Sequence, residues 1–531
     1  MNRPDRIALI HGSLIIFAVA IVGRAAQVQL WQRAAWMAKA ERQHFADSKM
    51  LAARGNIFDV SGVTLAQTSE FVRLSIAPRE VKDRRVLARD LRRLGVDGAT
   101  IARAIDTSHK WMTIPKHFLP SDVESVSGIQ GVYRRPFTQR DYTPRYATRR
   151  ILGRVDEGGK AIDGIELALD SVLRGQNGRA MLLRDARGAR PQSPSDTAVV
   201  PRAGEDVVLT LSQDLQEIAE RALNDAVDRG GASGGDILIM DPYSGEIRAL
   251  ASIRRDPRSS GSPLVSEPFE PGSTLKPFVA AALLSRGRAR PDEMMELGDG
   301  TWTVEGRTIH DEHKAPRFSL SDVIRYSSNV GIAKFAQRLS HAEQYQALRD
   351  FGFGTATGIS LPAEASGLLR PPEKWSKQSP VSLAIGYEIS VTALQLATAY
   401  AALANGGELL EPTIVKEIRG PDGVVRYTHT RRVVRRVIDP SVASTVRQML
   451  LGAVEGGTAD EAGLGNFQVA GKTGTAKRTI NGHYRDSSYT PSFVGLFPAD
   501  RPQYVILVKI DHPTVGSIFG GHTAAPVSKV V

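Results

Sequence analysis

A serine and a lysine stand three residues apart, Ser273 and Lys276, in the stretch EPFEPGSTLKPF (Glu267–Phe278), with Pro271-Gly272 before them and Pro277 after. A free serine hydroxyl is a poor nucleophile and needs a base to remove its proton. Gly272 and Ser273 suit a helix start, and proline is tolerated only about the first turn, so the spacing predicts a helix beginning near Ser273. Residues i and i+3 then share a face, which brings the Lys276 amine within reach of the Ser273 hydroxyl. Lysine serves as a base when its pKa falls, and the positive end of a helix and partial burial both lower it. The spacing is that of a serine nucleophile with a lysine base, although Ser-x-x-Lys alone recurs by chance in a chain of 531 residues.

Two further groups narrow the chemistry. RYSSNVGIAKFA (Arg325–Ala336) carries Ser327 and Asn329, a hydroxyl and an amide two apart, inside a helical region. QVAGKTGTAKR (Gln468–Arg478) carries Lys472, Thr473, Gly474 and Thr475 on a strand, where a glycine would let a substrate backbone lie close. Each group is common; the three in this order are not. HDEH (His310–His313) has metal-binding residue types, but its neighbours alternate as neither strand nor helix, so it reads as a polar loop and no metal is expected. The absence of cysteine excludes disulfide scaffolds, thiolate metal sites and cysteine nucleophiles.

The elements that must hold these residues follow from periodicity. Asp206–Ser212 reads as a strand and Leu215–Val227 as a helix behind a Ser/Asp start. DILIMD and EIRALAS, joined by Pro242-Tyr243-Ser244-Gly245, read as a hairpin, and VAGKTGTAK, SFVGLFPAD and YVILVKIDH as three closely spaced strands. Lys276–Leu450, between the two strand groups, is mostly helical. Strands at both ends with helices between predict an α+β domain, an antiparallel sheet flanked by helices.

The chain is too long for one core, so two or three domains are expected, and its 42% hydrophobic and 24% charged residues are ordinary for a globular protein. A net charge of +11, spread as Arg pairs, suits an anionic membrane surface, a cell-wall polymer or nucleic acid. Ile7–Gly23 is apolar apart from His11 and Ser13 and is flanked by Arg3, Arg6 and Arg24. The small pair Ala18 and Ala20 lies inside the run and not after it, which favours an uncleaved anchor over a signal peptide. Gln32–Met50 reads as a helix, Arg54–Ala66 as a hairpin turning at Ser61-Gly62, and Arg79 to about Arg103 as helical; nothing between Ala40 and Val200 spells chemistry, so this stretch reads as a structural or partner-docking module. Pro191, Pro194 and Pro201 mark a boundary. The expected organisation is an anchor with its short tail over 1–31, a pedestal over 32–200 and a C-terminal domain over 201–531.

Ser-x-x-Lys, Ser-x-Asn and Lys-Thr-Gly in this order are the signature set of the penicilloyl-serine transferases. The sequence resembles the class B penicillin-binding proteins, and within them the division-type (FtsI-like) D,D-transpeptidases. RGNIFDVSGVTLA and DGIELALDSVLRGQNG resemble the pedestal; FEPGSTLKPF, SSNVGIAKFA, FGFGTATGISLPAE, VTALQLATAYAALANGG and KTGTAK resemble the transpeptidase domain. The resemblance implies a serine β-lactamase-like catalytic domain on an elongated pedestal, anchored in the cell inner membrane by one helix, with the body on the periplasmic side. It implies acyl transfer between peptidoglycan stem peptides, β-lactams as inhibitors, a partner glycosyltransferase of the SEDS type and other division proteins, and no cofactor, metal or nucleic acid.

By the same resemblance Ser273 attacks the penultimate D-alanine carbonyl and Lys276 is its base. Ser327 relays a proton to the leaving amine with Lys472 in support, and Asn329 binds the substrate amide. The backbone N–H groups of Ser273 and Thr475 form the oxyanion hole, and Thr473 and Thr475, about Gly474, bind the terminal carboxylate. Some positions depart from the pattern: Glu388 replaces a usual glycine in IGYEIS, ATRRILG lacks a histidine, and Ser528 replaces a phenylalanine, which implies a missing or altered closing helix. The alternatives are a β-lactam hydrolase or D,D-carboxypeptidase, in which water replaces the acceptor amine, and a β-lactam sensor or non-catalytic division scaffold.

Overall fold

The computed structural model describes residues 3–34, 36–37, 45–50, 52–143, 147–156, 158–183, 199–256, 262–480 and 483–531. The chain forms two compact units, one of residues 1–53 with 174–204 and the other of 54–173 with 205–531.

In the first unit Arg3–Ala26 is a helix whose apolar side chains are exposed. Together with the turn that follows, Ile7–Trp31 is long and apolar enough to cross a membrane. The helix expected over Gln32–Met50 holds only at its start, where residues 33, 34, 36 and 37 are helical; Phe45–Met50 is instead a strand paired antiparallel with Gly178–Leu183, from Phe45 opposite Leu183 to Met50 opposite Gly178. Ladder pairing with a distant segment overrides a weak local helical preference here. Residues 35 and 38–44 of that expectation, and Pro191 and Pro194 of the expected boundary, lie outside the described residues.

The second unit begins with the expected hairpin, β1 (Ile57–Phe58) and β2 (Thr64–Ile76). Helices α1 (Arg84–Arg93) and α2 (Gly98–Ile105) follow; Asp83 caps α1 by accepting from the Arg85 and Val86 N–H groups, and Asp97 caps α2 from Thr100 N–H. They bury Leu87, Leu91 and Ile101 against Val72, Leu74 and Ile76 of β2 and Phe118 of β3 (Met112–Phe118). The other edge of β2 pairs with β4 (Val132–Tyr142). The sheet also runs through β5 (Asp206–Leu209), which pairs parallel with β1 and carries strands Val415–Arg419 and Val425–Thr428 beyond it.

After α3 (Gln213–Arg229), a five-stranded antiparallel sheet forms from β6 (Gly234–Met240), β7 (Ile247–Arg254), β10 (Ala470–Ile480), β11 (His483–Phe497) and β12 (Tyr504–Asp511), in the order β10-β11-β12-β6-β7. Its central strands are apolar on both faces because both are covered. Ile237, Ile239, Val508 and Ile510 join a core with α3, whereas Leu238, Met240, Val505 and Leu507 point into the larger core. That larger core holds α7 (Ala393–Ala404), buried at every residue, with α4 (Lys276–Ser285) and α8 (Pro440–Val454). The expectation of a sheet flanked by helices is met. Ala525–Val530, where the resemblance implied a missing or altered closing element, is a short helix against α3, β11 and β12.

A buried ion cluster ties the N-terminal motifs of this unit together. Glu166, with no exposed surface, accepts from Arg54 Nε at 2.5 Å and Arg140 Nε at 2.8 Å, and Arg54 also reaches Asp170 at 2.6 Å. Removing one partner of a buried cluster leaves the remaining charges uncompensated. Glu166→Gln is expected to lower unfolding stability by about 3 kcal/mol, measured as a shifted urea midpoint; an unchanged midpoint would remove this cluster as a structural tie.

Candidate active site

Ser273 lies on a short 3-10 turn, Gly272–Leu275, that leads directly into α4 at Lys276. Gly272 donates its N–H to Gly386 O at 3.1 Å; a Cβ on Gly386 would sit 2.0 Å from Gly272 O, so the close approach requires glycine at 386, while Gly272 is favoured by its own left-handed φ of +56°. Thr274 Oγ1 donates to Pro271 O at 2.8 Å, and the buried Tyr400 hydroxyl donates to Thr274 O at 2.8 Å. Beneath the turn, Phe278 packs edge-on against Phe353 and Tyr400. Before it, Phe269 bridges to Val391 and carries Lys509 Nζ 5.3 Å from its ring centre. Lys509 is itself held by Asp236 and Asp511 at 2.8 and 2.9 Å. The Ser273 turn is thus held from several sides while Ser273 itself stays partly exposed.

Lys276 has no exposed surface. Its Nζ donates to Ser327 O at 2.5 Å and to Asn329 Oδ1 at 2.8 Å, and lies 3.2 Å from Ser327 Oγ. The structure therefore joins Ser-x-x-Lys to Ser-x-Asn through the amine. It does not place the expected hydrogen bond between Lys276 and Ser273, because three acceptors from the facing loop engage the amine. Burial drives Lys276 well below the usual lysine value, the charge of Lys472 nearby adds to this, and the Asp311 carboxylate opposes it. Lys472, equally buried, is drawn down by burial to about 7. Its Nζ reaches Thr473 O at 3.3 Å and makes no hydrogen bond with Ser327.

Ser327 sits between two helices and not inside one, separating α5 (Leu320–Arg325) from α6 (Asn329–Ala336), with a left-handed φ of +59°. This turn is held by Asp311, which the sequence reading left in a polar loop. His310 ends β9 (Arg307–His310), which forms a hairpin with β8 (Thr301–Val304), so HDEH begins on a strand. Asp311, 4% exposed, accepts from Ser328 Oγ at 2.6 Å, Asn329 N–H at 2.5 Å and Val330 N–H at 2.9 Å. Ser328 Oγ in turn accepts from Gly331 N–H at 2.8 Å, and Asn329 Nδ2 donates to His310 O at 2.9 Å. No local pattern could reveal this, since Asp311 caps a helix that begins 18 residues later. Among the described residues no group of His, Cys, Asp and Glu could hold a metal ion.

Lys472 to Thr475 lie on β10, paired with Val494 to Pro491 of β11. Alternation puts Lys472 and Gly474 on one face and Thr473 and Thr475 on the other. A Cβ on Gly474 would meet Ser492 Oγ at 2.6 Å, Pro271 O at 2.8 Å and Thr274 Cγ2 at 3.0 Å. The strand needs glycine to lie against the Ser273 turn of its own chain, a different reason from the substrate approach expected from sequence. Thr473 Oγ1 shares a hydrogen bond with Thr458 Oγ1 at 3.0 Å, and Thr475 Oγ1 accepts from Gly520 N–H at 3.1 Å. Thr458 and Gly520 were not singled out in the sequence. Glu388 adopts φ +60°, the conformation that explains a usual glycine there; its N–H donates to Glu270 Oε1 at 3.0 Å and its Oε2 accepts from Ser379 Oγ at 2.6 Å. A cleft of about 940 Å³ is lined by Ala476, Phe269, Glu270 and Glu388, residues that flank the Ser273 turn and the Lys-Thr-Gly strand in sequence or contact.

Comparison with known proteins bears on this geometry directly. Residues 235–531 match the family model described as the penicillin binding protein transpeptidase domain, and residues 49–209 match the penicillin-binding protein dimerisation domain. A Pseudomonas aeruginosa protein named probable peptidoglycan D,D-transpeptidase PbpC is 30% identical over 99% of this chain and 94% of its own length. Escherichia coli peptidoglycan D,D-transpeptidase FtsI is 27% identical over 98% of this chain and 90% of its own length. The crystal structure of penicillin binding protein 3 from Mycobacterium tuberculosis, complexed with aztreonam, superposes with a TM-score of 0.71 at 30% identity, covering 91% of this chain and 95% of that one. With the Ser273 turn, a buried lysine and a Lys-Thr-Gly strand brought into one place, and a chain matched along nearly its whole length, this protein belongs to the family of penicillin-binding protein transpeptidases.

Proposed function

We propose that the protein is a serine D,D-transpeptidase that cross-links peptidoglycan stem peptides through an acyl-enzyme on Ser273 in septal cell-wall synthesis, and that β-lactams inhibit it covalently. The observation that carries this reading is the sealed amine of Lys276, depressed in pKa and 3.2 Å from the Ser327 hydroxyl, three residues after a partly exposed serine. A neutral amine takes the Ser273 proton as Oγ bonds to the penultimate D-alanine carbonyl carbon. The N–H groups of Ser273 and Thr475 receive the oxyanion, where each such donor is worth about 100- to 1000-fold in rate. Collapse breaks the C–N bond. Ser327 Oγ gives its proton to the leaving D-alanine nitrogen and regains one from the Lys276 ammonium. An amine from a neighbouring stem then attacks the ester by the reverse proton path.

Asn329 binds the substrate amide and Thr473 and Thr475 its terminal carboxylate, Gly474 keeping the strand against the turn; Lys472 lends positive potential. The cleft beside Ala476 has room for the stem peptide beyond the reacting bond. Residues 1–31 are read as cytoplasmic tail and inner-membrane anchor, 32–200 as pedestal and 201–531 as a periplasmic transpeptidase domain, a reading that the apolar N-terminal helix and the family match support. A SEDS-type glycosyltransferase and other division proteins are the partners that the resemblance of its motifs to the division-type transpeptidases implies.

Incubation of the protein with a penicillin is expected to add one drug mass to the parent and none to Ser273→Ala. No adduct with the drug intact would end the catalytic reading, and no adduct with the drug hydrolysed would make the protein a lactamase. Lys276→Met should slow acylation about 1000-fold, within the range for loss of a general base, in stopped-flow with a fluorescent penicillin; a near-parent rate would remove Lys276 as the base. The base must be unprotonated to act, so the parent acylation rate should rise with pH and reach its plateau well below 10.5, the ordinary lysine value. A profile still climbing through that value would mean the amine is not depressed.

A further inference from the structure

The HDEH stretch is the one sequence feature with reactive residue types that the proposed reaction leaves unused, and its aspartate is the most enclosed of the four. Asp311 gathers three donors from the Ser-x-Asn loop at 2.5 to 2.9 Å, and its neighbour His310 takes a fourth through its carbonyl. The last contact settles which way the Asn329 amide faces: with Nδ2 on His310 O, Oδ1 is left to face Lys276 Nζ at 2.8 Å. The loop needs such a hold. Ser327, between its two helices, sits in a left-handed conformation that non-glycine residues adopt at a cost, and it persists only where its surroundings enforce it. Ser327 N–H and Ser328 N–H return to Ile324 O and Val323 O on one side, and Asp311 clamps Ser328 and Asn329 on the other.

We propose that Asp311 is a positioning residue of the acylation reaction, its carboxylate holding Ser327 and Asn329 against the Lys276 amine from outside the three motifs. This rests on the serine-acylation reading above. Asp311 touches no reacting atom; it acts through the loop. It acts on charge as well. The charged groups that face Lys276 are Lys472 from β10 and Asp311 after β9, of opposite sign, so Asp311 offsets part of what burial and Lys472 do to the amine. Removing its charge takes away the negative group that favours the ammonium, and the acid limb of the acylation profile then moves to lower pH.

The test is the second-order rate of acylation by a fluorescent penicillin, from pH 5 to 9, for the parent, Asp311→Asn, Asp311→Glu and Ser340→Ala. Ser340 closes a capping box on the helix His341–Asp350 and serves as a control for helix-cap loss away from the site. Asp311→Asn should fall about 100-fold, the order expected when a catalytic group is misplaced by an ångström, with its acid limb displaced to lower pH. Asp311→Glu keeps the charge and shifts the carboxylate, so its rate should fall with the limb unmoved, and it carries the test if Asp311→Asn does not fold. Ser340→Ala should lose stability and keep the parent rate per folded molecule. The inference is overturned if both Asp311 variants acylate at the parent rate per folded molecule, or if the limb of Asp311→Asn stays where the parent has it. A parent that forms no adduct would instead overturn the underlying reading.

Discussion

Two lysine amines without exposed surface, close enough to repel each other, are the constraint around which this site is arranged. An ammonium taken from water into a protein interior loses several kcal/mol of hydration even after relaxation. Two such groups side by side cannot both hold a proton cheaply at neutral pH. The site settles this by lowering both amines, Lys276 well below the usual lysine value and Lys472 to about 7, with the Asp311 carboxylate as a partial counterweight. The same burial that costs the fold stability makes the ammonium form of Lys276 the harder one to keep, which is what its proposed role as a base asks of it.

Everything next to the amines serves to keep water out and the atoms in register. β10 lies against the Ser273 turn only because Gly474 has no side chain, and the turn lies against the Gly386 loop only because Gly386 has none. Thr458 ties β10 back to the Ser-x-Asn side: its N–H donates to Arg325 O at 3.3 Å, two residues before Ser327, and its hydroxyl meets Thr473. Three motifs distant in sequence become one rigid surface through contacts that the motifs do not contain. The cores above and below the sheet, with strands apolar on both faces, provide the fixed frame.

How much of this could be read from the sequence depended on whether the information was local. The five strands, the helix after Ser212, the Ser61-Gly62 hairpin and the helical start at Ser273 all announced themselves by period and turn residues, and the structure has them. So did the three motifs. Phe45–Met50 did not, since its partner lies some 130 residues away and nothing in the segment itself names it. Asp311 was hidden for the same reason: a cap supplied from a distant strand end looks like any polar residue in a loop. Gly474 was legible as a close-approach position, but the atoms approaching it belong to the chain's own turn. The reach from Lys276 to Ser273 was inferred from one helix face, whereas the facing loop decides where the amine points.

Glu388 shows how such a site constrains the changes open to it. A left-handed φ costs a residue with a Cβ roughly 1 kcal/mol or more, and here that cost is offset by the hydroxyl of Ser379 and the carboxylate of Glu270, which bind the side chain and the backbone of Glu388 respectively. The three positions are therefore coupled in inheritance. A lineage that loses Ser379 while keeping Glu388 retains the strain without its compensation, while one that returns position 388 to glycine frees Ser379 to vary. The order in which these substitutions arise determines which of them a descendant can tolerate.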